Sequence, residues 1–187
     1  SRSISRTMIT TKDVIALRNA VKEAELNIRE LIIVTEEEFT EARLQKHRRK
    51  TLAAIDKIKT ALQKCRSYEK RFSKIKKRSR GYLNGKWKMA RLRIYLSRQV
   101  DSINFTENFR TRMRNRIMEG VTQFQSGDRR ISRFQNKLAT IKGRGKAKDE
   151  ERTKMRSEIR KTQAELRKVQ ALYEANGEAL KHTLYKI

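Results

Sequence analysis

The sequence predicts an all-α fold, an elongated multi-helix domain built from long amphipathic helices. Its 187 residues include no proline, where an average chain would hold about nine at the usual ~5%. Proline removes a helix donor and clashes with the preceding turn, so unbroken helices are free to run long. Apolar residues recur at spacings of three and four rather than in alternation. Charged residues make up 37% of the chain, and they fall between the apolar stripes.

The first helix is expected to start near Thr10–Thr11, with Asp13 in its first turn, and to bury Val14, Leu17, Val21, Ala24, Ile28 and Leu31. Thr35 followed by Glu38 forms a capping box, the hydroxyl taking a free backbone N–H while the carboxylate reaches back to the cap. Glu36, Glu37 and Glu38 sit where a helix dipole favours negative charge. From there a helix is predicted to about Arg80, striped by Leu52, Ile55, Ile58, Leu62, Cys65, Tyr68, Phe72 and Ile75. That stripe buries Cys65, which makes it an inert core thiol.

Gly81 and Gly85 are expected to bracket a turn, and the next helix to end near Ile103. Phe105 and Thr106 read as a helix start, the threonine capping and the phenylalanine stapling. The helix that follows carries Phe109, Met113, Ile117 and Phe124, with a break at Ser126–Gly127. A shorter helix through Ile131, Phe134, Leu138 and Ile141 comes next. "KGRGKAKDEE", residues 142–151, reads as an exposed, mobile loop. Met155 to Tyr173 mark another helix, Asn176–Gly177 stops it, and Leu180, Leu184 and Ile187 begin a last one. The chain is read as one helical domain, 1–187. It starts at Ser1 rather than Met and stops in mid-pattern, as a piece of a longer protein would.

The net charge of +27 is concentrated, residues 41–100 holding 21 basic and 3 acidic side chains. Such a cationic middle favours a polyanion or an acidic protein surface as neighbour. No catalytic, cofactor-binding or metal-ligating set appears. His47 and His182 are isolated, and the single Cys65 cannot complete a zinc site with them. Gly143 and Gly145 lack the strand and helix that a phosphate loop needs, and the carboxylates are exposed helix charges. The expectation is a protein that is not an enzyme, with no cofactor and no small-molecule substrate. No apolar run approaches the ~18–20 residues of a membrane span, so no membrane partner is expected. One cysteine forms no intrachain disulfide, which suits the cytoplasm.

The segment "KWKMARLRIYLSRQVDSI", Lys86 to Ile103, divides on a helical wheel of ~100° per residue. Met89, Leu92, Leu96, Val100 and Ile103 share an arc of about 80°, and Trp87, Ala90 and Ile94 lie opposite. Two apolar faces predict a strut sandwiched between other elements, with Lys86, Lys88, Arg91, Arg93 and Arg98 in the seams. In the next helix Phe109, Met113 and Ile117 are buried, Arg112 and Arg116 lie on one flank, and Arg110 and Arg114 on the other. Arg91, Arg98, Arg110, Arg112, Arg114 and Arg116 are the candidate backbone contacts for a polyanion, the second helix having the freer flanks.

"NIRELIIVTEEEFTEARLQKHRRKTLAAIDKI" (Asn27 to Ile58) resembles a segment of bacterial primary sigma factors of the sigma-70 class, and so does "KWKMARLRIYLSRQVDSINFTENFRTRM" (Lys86 to Met113). "SRS" at the start and "EALKHTLYKI" at the end resemble the borders of the two conserved regions that flank the family's non-conserved insertion. The resemblance, carried by the ordered set of four, covers essentially the whole chain. It implies a helical insertion of a sigma factor that brings core RNA polymerase to promoter DNA for transcription initiation. DNA is then the polyanion implied, and the six arginines are candidate DNA-backbone contacts. The residues that read the −10 element lie beyond this segment in the family, and none is carried over. Where some members have an acidic tract, this chain is basic. A free-standing basic helical protein that binds RNA or ribosomes is the alternative, and a coiled-coil adaptor is another.

Overall fold

The computed structural model describes residues 4–23, 25–34, 40–77, 79–143 and 145–186, with the side chain of Arg80 left aside. Among these residues the fold is all-α. The helices are α1 (Met8–Lys22), α2 (Ile28–Leu31), α3 (Glu41–Phe72), α4 (Arg80–Asp101), α5 (Glu107–Thr140), α6 (Lys146–Tyr173) and α7 (Gly177–Leu184), preceded by a 3-10 turn at Ile4–Arg6. Contacts gather into two compact units, Ser1–Arg114 and Asn115–Lys186, where the sequence reading had one domain.

In the first unit α3 packs against both α1 and α4, and the 3-10 turn against α1 and α4. Val14 and Val21 of α1, Ile55, Ile58, Leu62 and Cys65 of α3, and Met89, Leu96 and Val100 of α4 form its core. Of the predicted stripe Ile55, Ile58, Leu62 and Cys65 are buried, whereas Leu52, Tyr68, Phe72 and Ile75 are half-buried and Ile75 lies past the end of α3. α1 begins earlier than expected because Thr7, not Thr10, is its cap, the Thr7 hydroxyl accepting from the Thr10 N–H. Thr10 and Thr11 are buried within the helix instead. The capping box at Thr35 and Glu38 lies outside the described residues.

Polar links join the helices at their edges. The Arg18 guanidinium of α1 donates to both carboxylate oxygens of Asp56 on α3, at 2.6 and 3.3 Å. Arg93 of α4 donates to Glu69 of α3 at 3.0 Å, and the Lys88 ammonium sits 5.0 Å over the Tyr68 ring. The segment after α2 pairs with the α4–α5 connection through one antiparallel bridge, Ile32 to Phe105. Ile33 N–H donates to the Asn104 carbonyl, and Thr106 donates to Leu31 through its N–H and to Glu30 through its hydroxyl. Thr106 also caps α5 as predicted, accepting from the Phe109 N–H, and Phe105 stacks on Phe109 at 4.8 Å.

Two expected breaks are absent. Gly81 and Gly85 lie inside α4, whose cap is Ser79, accepting from the Tyr82 N–H. α3 ends at Phe72, and its ring occupies the space a side chain at Gly85 would need, 2.6 Å from a Cβ placed there. Glycine at 85 serves close approach, not turning. Likewise α5 runs through Ser126–Gly127 without interruption for 34 residues. A Cβ at Gly127 would meet Leu166 of α6 at 2.5 Å, and one at Gly120 would meet the Tyr173 ring at 2.7 Å. These glycines are notches that let the second unit's helices approach.

α6 also begins earlier than expected, at Lys146. The connection before it uses positive φ at Gly143 (90°) and Gly145 (153°). Arg152 donates to the carbonyls of Ile141 and Gly143, and Lys148 to that of Lys142. At the far end Glu174, at φ 48°, terminates α6. Asn176, read from sequence as a stop, caps α7 by accepting from the Ala179 N–H at 2.8 Å.

Candidate nucleic-acid interface

No group of three metal-ligating side chains occurs among the described residues, and none of their helices is long and apolar enough to cross a membrane. Cys65 is 3% exposed, and burial pushes its thiol above the ordinary range, so it stays protonated and unreactive at neutral pH. What the surface offers instead is cationic.

α4 is not sandwiched. Met89, Leu96 and Val100 are buried as expected, but Trp87 is 67% exposed, Ile94 51% and Leu83 60%. The second apolar face of the wheel is solvent-facing, and the buried side chains Met89, Leu96 and Val100 belong to the first. This correction moves the arginines as well. Arg91 and Arg98 lie within about 40° of Trp87 on the wheel, so they share the open face with Trp87 and Ile94 rather than filling seams. Arg98 also lines a cleft of about 840 Å³ with Arg6, Arg93, Ile94, Ser97, Asp101 and Ser102. Ser97, buried beneath it, is hydrogen-bonded to Ser5 at 2.9 Å.

α5 buries Phe109, Met113 and Ile117 as predicted, yet its flanks are less free than expected. Glu107 draws both Arg110 and Arg114 to 3.9 Å, and Glu119 draws Arg116 to 3.6 Å. The Arg110 and Arg114 side chains are half-buried, and the Nε of Arg114 is buried without a hydrogen-bond partner. Arg112 is exposed beside Leu31, Asn108 and Phe109. Among the described residues no carboxylate comes within ion-pair distance of Arg91, Arg98 or Arg112. The structure thus puts two of the three unpaired candidates on α4, the helix read from sequence as the less accessible.

The hairpin of α3 and α4 adds a set that the helix-by-helix reading passed over. Lys70 to Lys88 contains nine basic residues and no acidic one. Lys70, Arg71, Lys74, Lys76, Lys77, Lys86 and Lys88 are exposed there. The chain turns back between Phe72 and Arg80, so the end of α3 and the start of α4 bring their cations to one tip, held by the stacking of Phe72 on Tyr82 at 5.0 Å. The signal was in the sequence as an acid-free run, but only the turn position shows that it folds on itself. Such a tip can neutralise phosphates, contacts that position a duplex without reading its sequence. No protein-family model, no curated protein and no solved structure matches the chain.

Proposed function

We propose that this chain is a helical insertion domain of a sigma-70-class primary sigma factor. In this reading it supports contacts with promoter DNA and core RNA polymerase in the cytoplasm, as a binding module without catalysis. The observation that carries the DNA part is the α3–α4 tip, with seven exposed cations and no acid in the run that forms it. The sigma assignment rests on the four ordered segments that resemble that family.

The tip would act through the phosphate backbone. Each phosphate neutralised by lysine or arginine releases condensed counterions, so affinity falls linearly on a log–log plot against salt, with a slope of about −0.9 per contact. Arg91, Arg98 and Arg112 extend the same surface chemistry, while Arg110, Arg114 and Arg116 must first leave Glu107 and Glu119.

Anisotropy of a labelled DNA duplex, titrated at several salt concentrations, tests this. Replacing Lys74, Lys76 and Lys77 by glutamine should weaken binding on every duplex sequence alike and flatten the slope by about 3. An unchanged slope refutes the tip as the contact. The sigma assignment has its own test in the coding sequence beyond Ile187, which must continue into an aromatic-rich basic helix suited to melted promoter DNA.

A further inference from the structure

The open face of α4 carries more than phosphate binding requires. Leu83, Trp87, Ala90 and Ile94 are all exposed and follow one another at spacings of four, three and four. That is the d-a-d-a seam of a coiled coil, running about 16 Å along the helix. In the same register Arg91 and Arg98 take e positions, and Lys86 and Arg93 take g positions. Every charged flank of the seam is therefore basic. Arg93 leans on Glu69 at 3.0 Å, whereas Lys86, Arg91 and Arg98 have no carboxylate within ion-pair distance among the described residues.

We propose that this face docks an acidic amphipathic helix of a protein partner. The partner's apolar stripe would cover Leu83, Trp87 and Ile94, and its glutamates or aspartates would meet the e and g cations. Charge complementarity selects this occupant. A second copy of the chain would set arginine against arginine across the seam, and like charges at facing e and g positions oppose pairing. A single-stranded nucleic acid would find Trp87 as the one aromatic among the described seam positions, with Tyr95 to one side of the seam. Leu83 and Ile94 offer a base no π-face, but they are ordinary knobs for a helix. Tryptophan and arginine together are also the side chains that most often dominate protein interfaces. The proposal does not depend on the sigma reading or on duplex binding by the hairpin tip.

Trp87 is the only tryptophan in the chain, so its emission reports this face directly. The 187-residue chain would be titrated with two designed helical peptides of three heptads, both with leucine at a and d. One carries glutamate at every e and g position, the other lysine. The expected result is a saturable blue shift with the glutamate peptide and none with the lysine peptide. Leu83→Ser with Ile94→Ser, both at exposed positions, should weaken the glutamate peptide roughly tenfold with far-UV helicity unchanged. Arg91→Glu with Arg98→Glu should invert the preference between peptides. Equal response to both peptides, no response, or full binding by the serine variant overturns the proposal. So does tighter binding of oligothymidylate than of the glutamate peptide, which would assign the face to nucleic acid. A chain that loses duplex binding through its tip lysines but keeps this peptide response separates the two readings.

Discussion

The two compact units close their cores by different means. In Ser1–Arg114 the fully buried side chains are mostly aliphatic and spread over four helices, Val14 and Val21, Ile28 and Leu31, Ile55 and Ile58, and Val100. In Asn115–Lys186 they are few, and three large side chains instead seat against glycines: Tyr173 on Gly120, Leu166 on Gly127, and Phe124 on Gly177. A distributed aliphatic core is damaged by taking atoms away. A notched core is damaged by adding one. Apart from Gly85, which seats Phe72 in the first unit, an added methyl group should therefore cost the second unit more than the first.

The largest effect is expected from removing core volume in the first unit. Ile55 is completely buried where α3 meets its neighbours, and Ile55→Ala should cost about 2–5 kcal/mol, the transfer term plus the cavity left behind. Cys65, three stripe positions further along α3, is a built-in reporter. Its labelling by a thiol reagent should be slow in the native chain and should accelerate in Ile55→Ala, while amide exchange in α6 changes little. Equal acceleration in both units would mean that the two cores open together, and the comparison would fail.

Adding a methyl group gives the second test. Gly120→Ala places a Cβ 2.7 Å from Tyr173 Cε1 and 2.8 Å from Cζ. The ring cannot step aside easily, because Tyr173 is 1% exposed and its hydroxyl donates to the Arg116 carbonyl at 3.1 Å. Overpacking of about 1–3 kcal/mol outweighs the ~1 kcal/mol that alanine gains over glycine in a helix. A net loss of about 1 kcal/mol is expected by urea denaturation. In α4 the sign reverses. The nearest atom to a Cβ at Gly81 is Ser79 Oγ at 3.8 Å, so Gly81→Ala should stabilise by about 0.5–1 kcal/mol. If both substitutions stabilise, glycine at 120 is not a notch.

These glycines also mark where the sequence stopped being legible. The all-α class, the middle of the α3 stripe from Ile55 to Cys65 and the cap at Thr106 follow from local periodicity and local hydrogen bonding, and all of them hold. A glycine in a helical pattern has two local readings, a break or a close approach, and the choice is made by a side chain far away in sequence. Gly127 needs Leu166, and Gly120 needs Tyr173; no window around either position contains that information. Trp87 and Ile94 pose the mirror problem. A wheel shows that they share a face, but whether anything covers the face depends on how many neighbours the helix has. The acid-free run at the α3–α4 tip is legible as charge, and becomes a candidate site only because α3 ends at Phe72 and α4 starts at Arg80.

Ion pairs supply the smallest and most local test of the comparison. Asp56 in the first unit and Glu158 in the second are both held below the usual carboxylate range. For Asp56 the chief cause is the hydrogen bond from Arg18, which overcomes partial desolvation and is helped by the charges of Arg18 and Lys59. For Glu158 it is the hydrogen bond from Lys161, supported by the charges of Lys161, of Arg130 on α5 and of Lys154 against a desolvation cost. A carboxyl whose folded pKa is depressed stabilises the fold fully above its unfolded value, near 4. That contribution is lost as pH falls through the lower folded pKa. Both pairs should therefore contribute fully at neutral pH and fade in acid, visible as carboxylate titrations by NMR below the usual carboxylate range. Their reach differs. Arg18–Asp56 joins α1 to α3, whereas Glu158–Lys161 stays within α6 at i,i+3. Asp56→Asn should loosen α1, read as faster amide exchange there at neutral pH, with little further change on acidification. Glu158→Gln should alter exchange chiefly in its own turn of α6, because its hydrogen bond is to Lys161 and Arg130 of α5 acts on it through charge alone. The effects are small because both pairs are largely solvated. If Glu158→Gln loosened α5 as well, the second unit would depend on its surface charges, and the glycine notches could not be what closes its core.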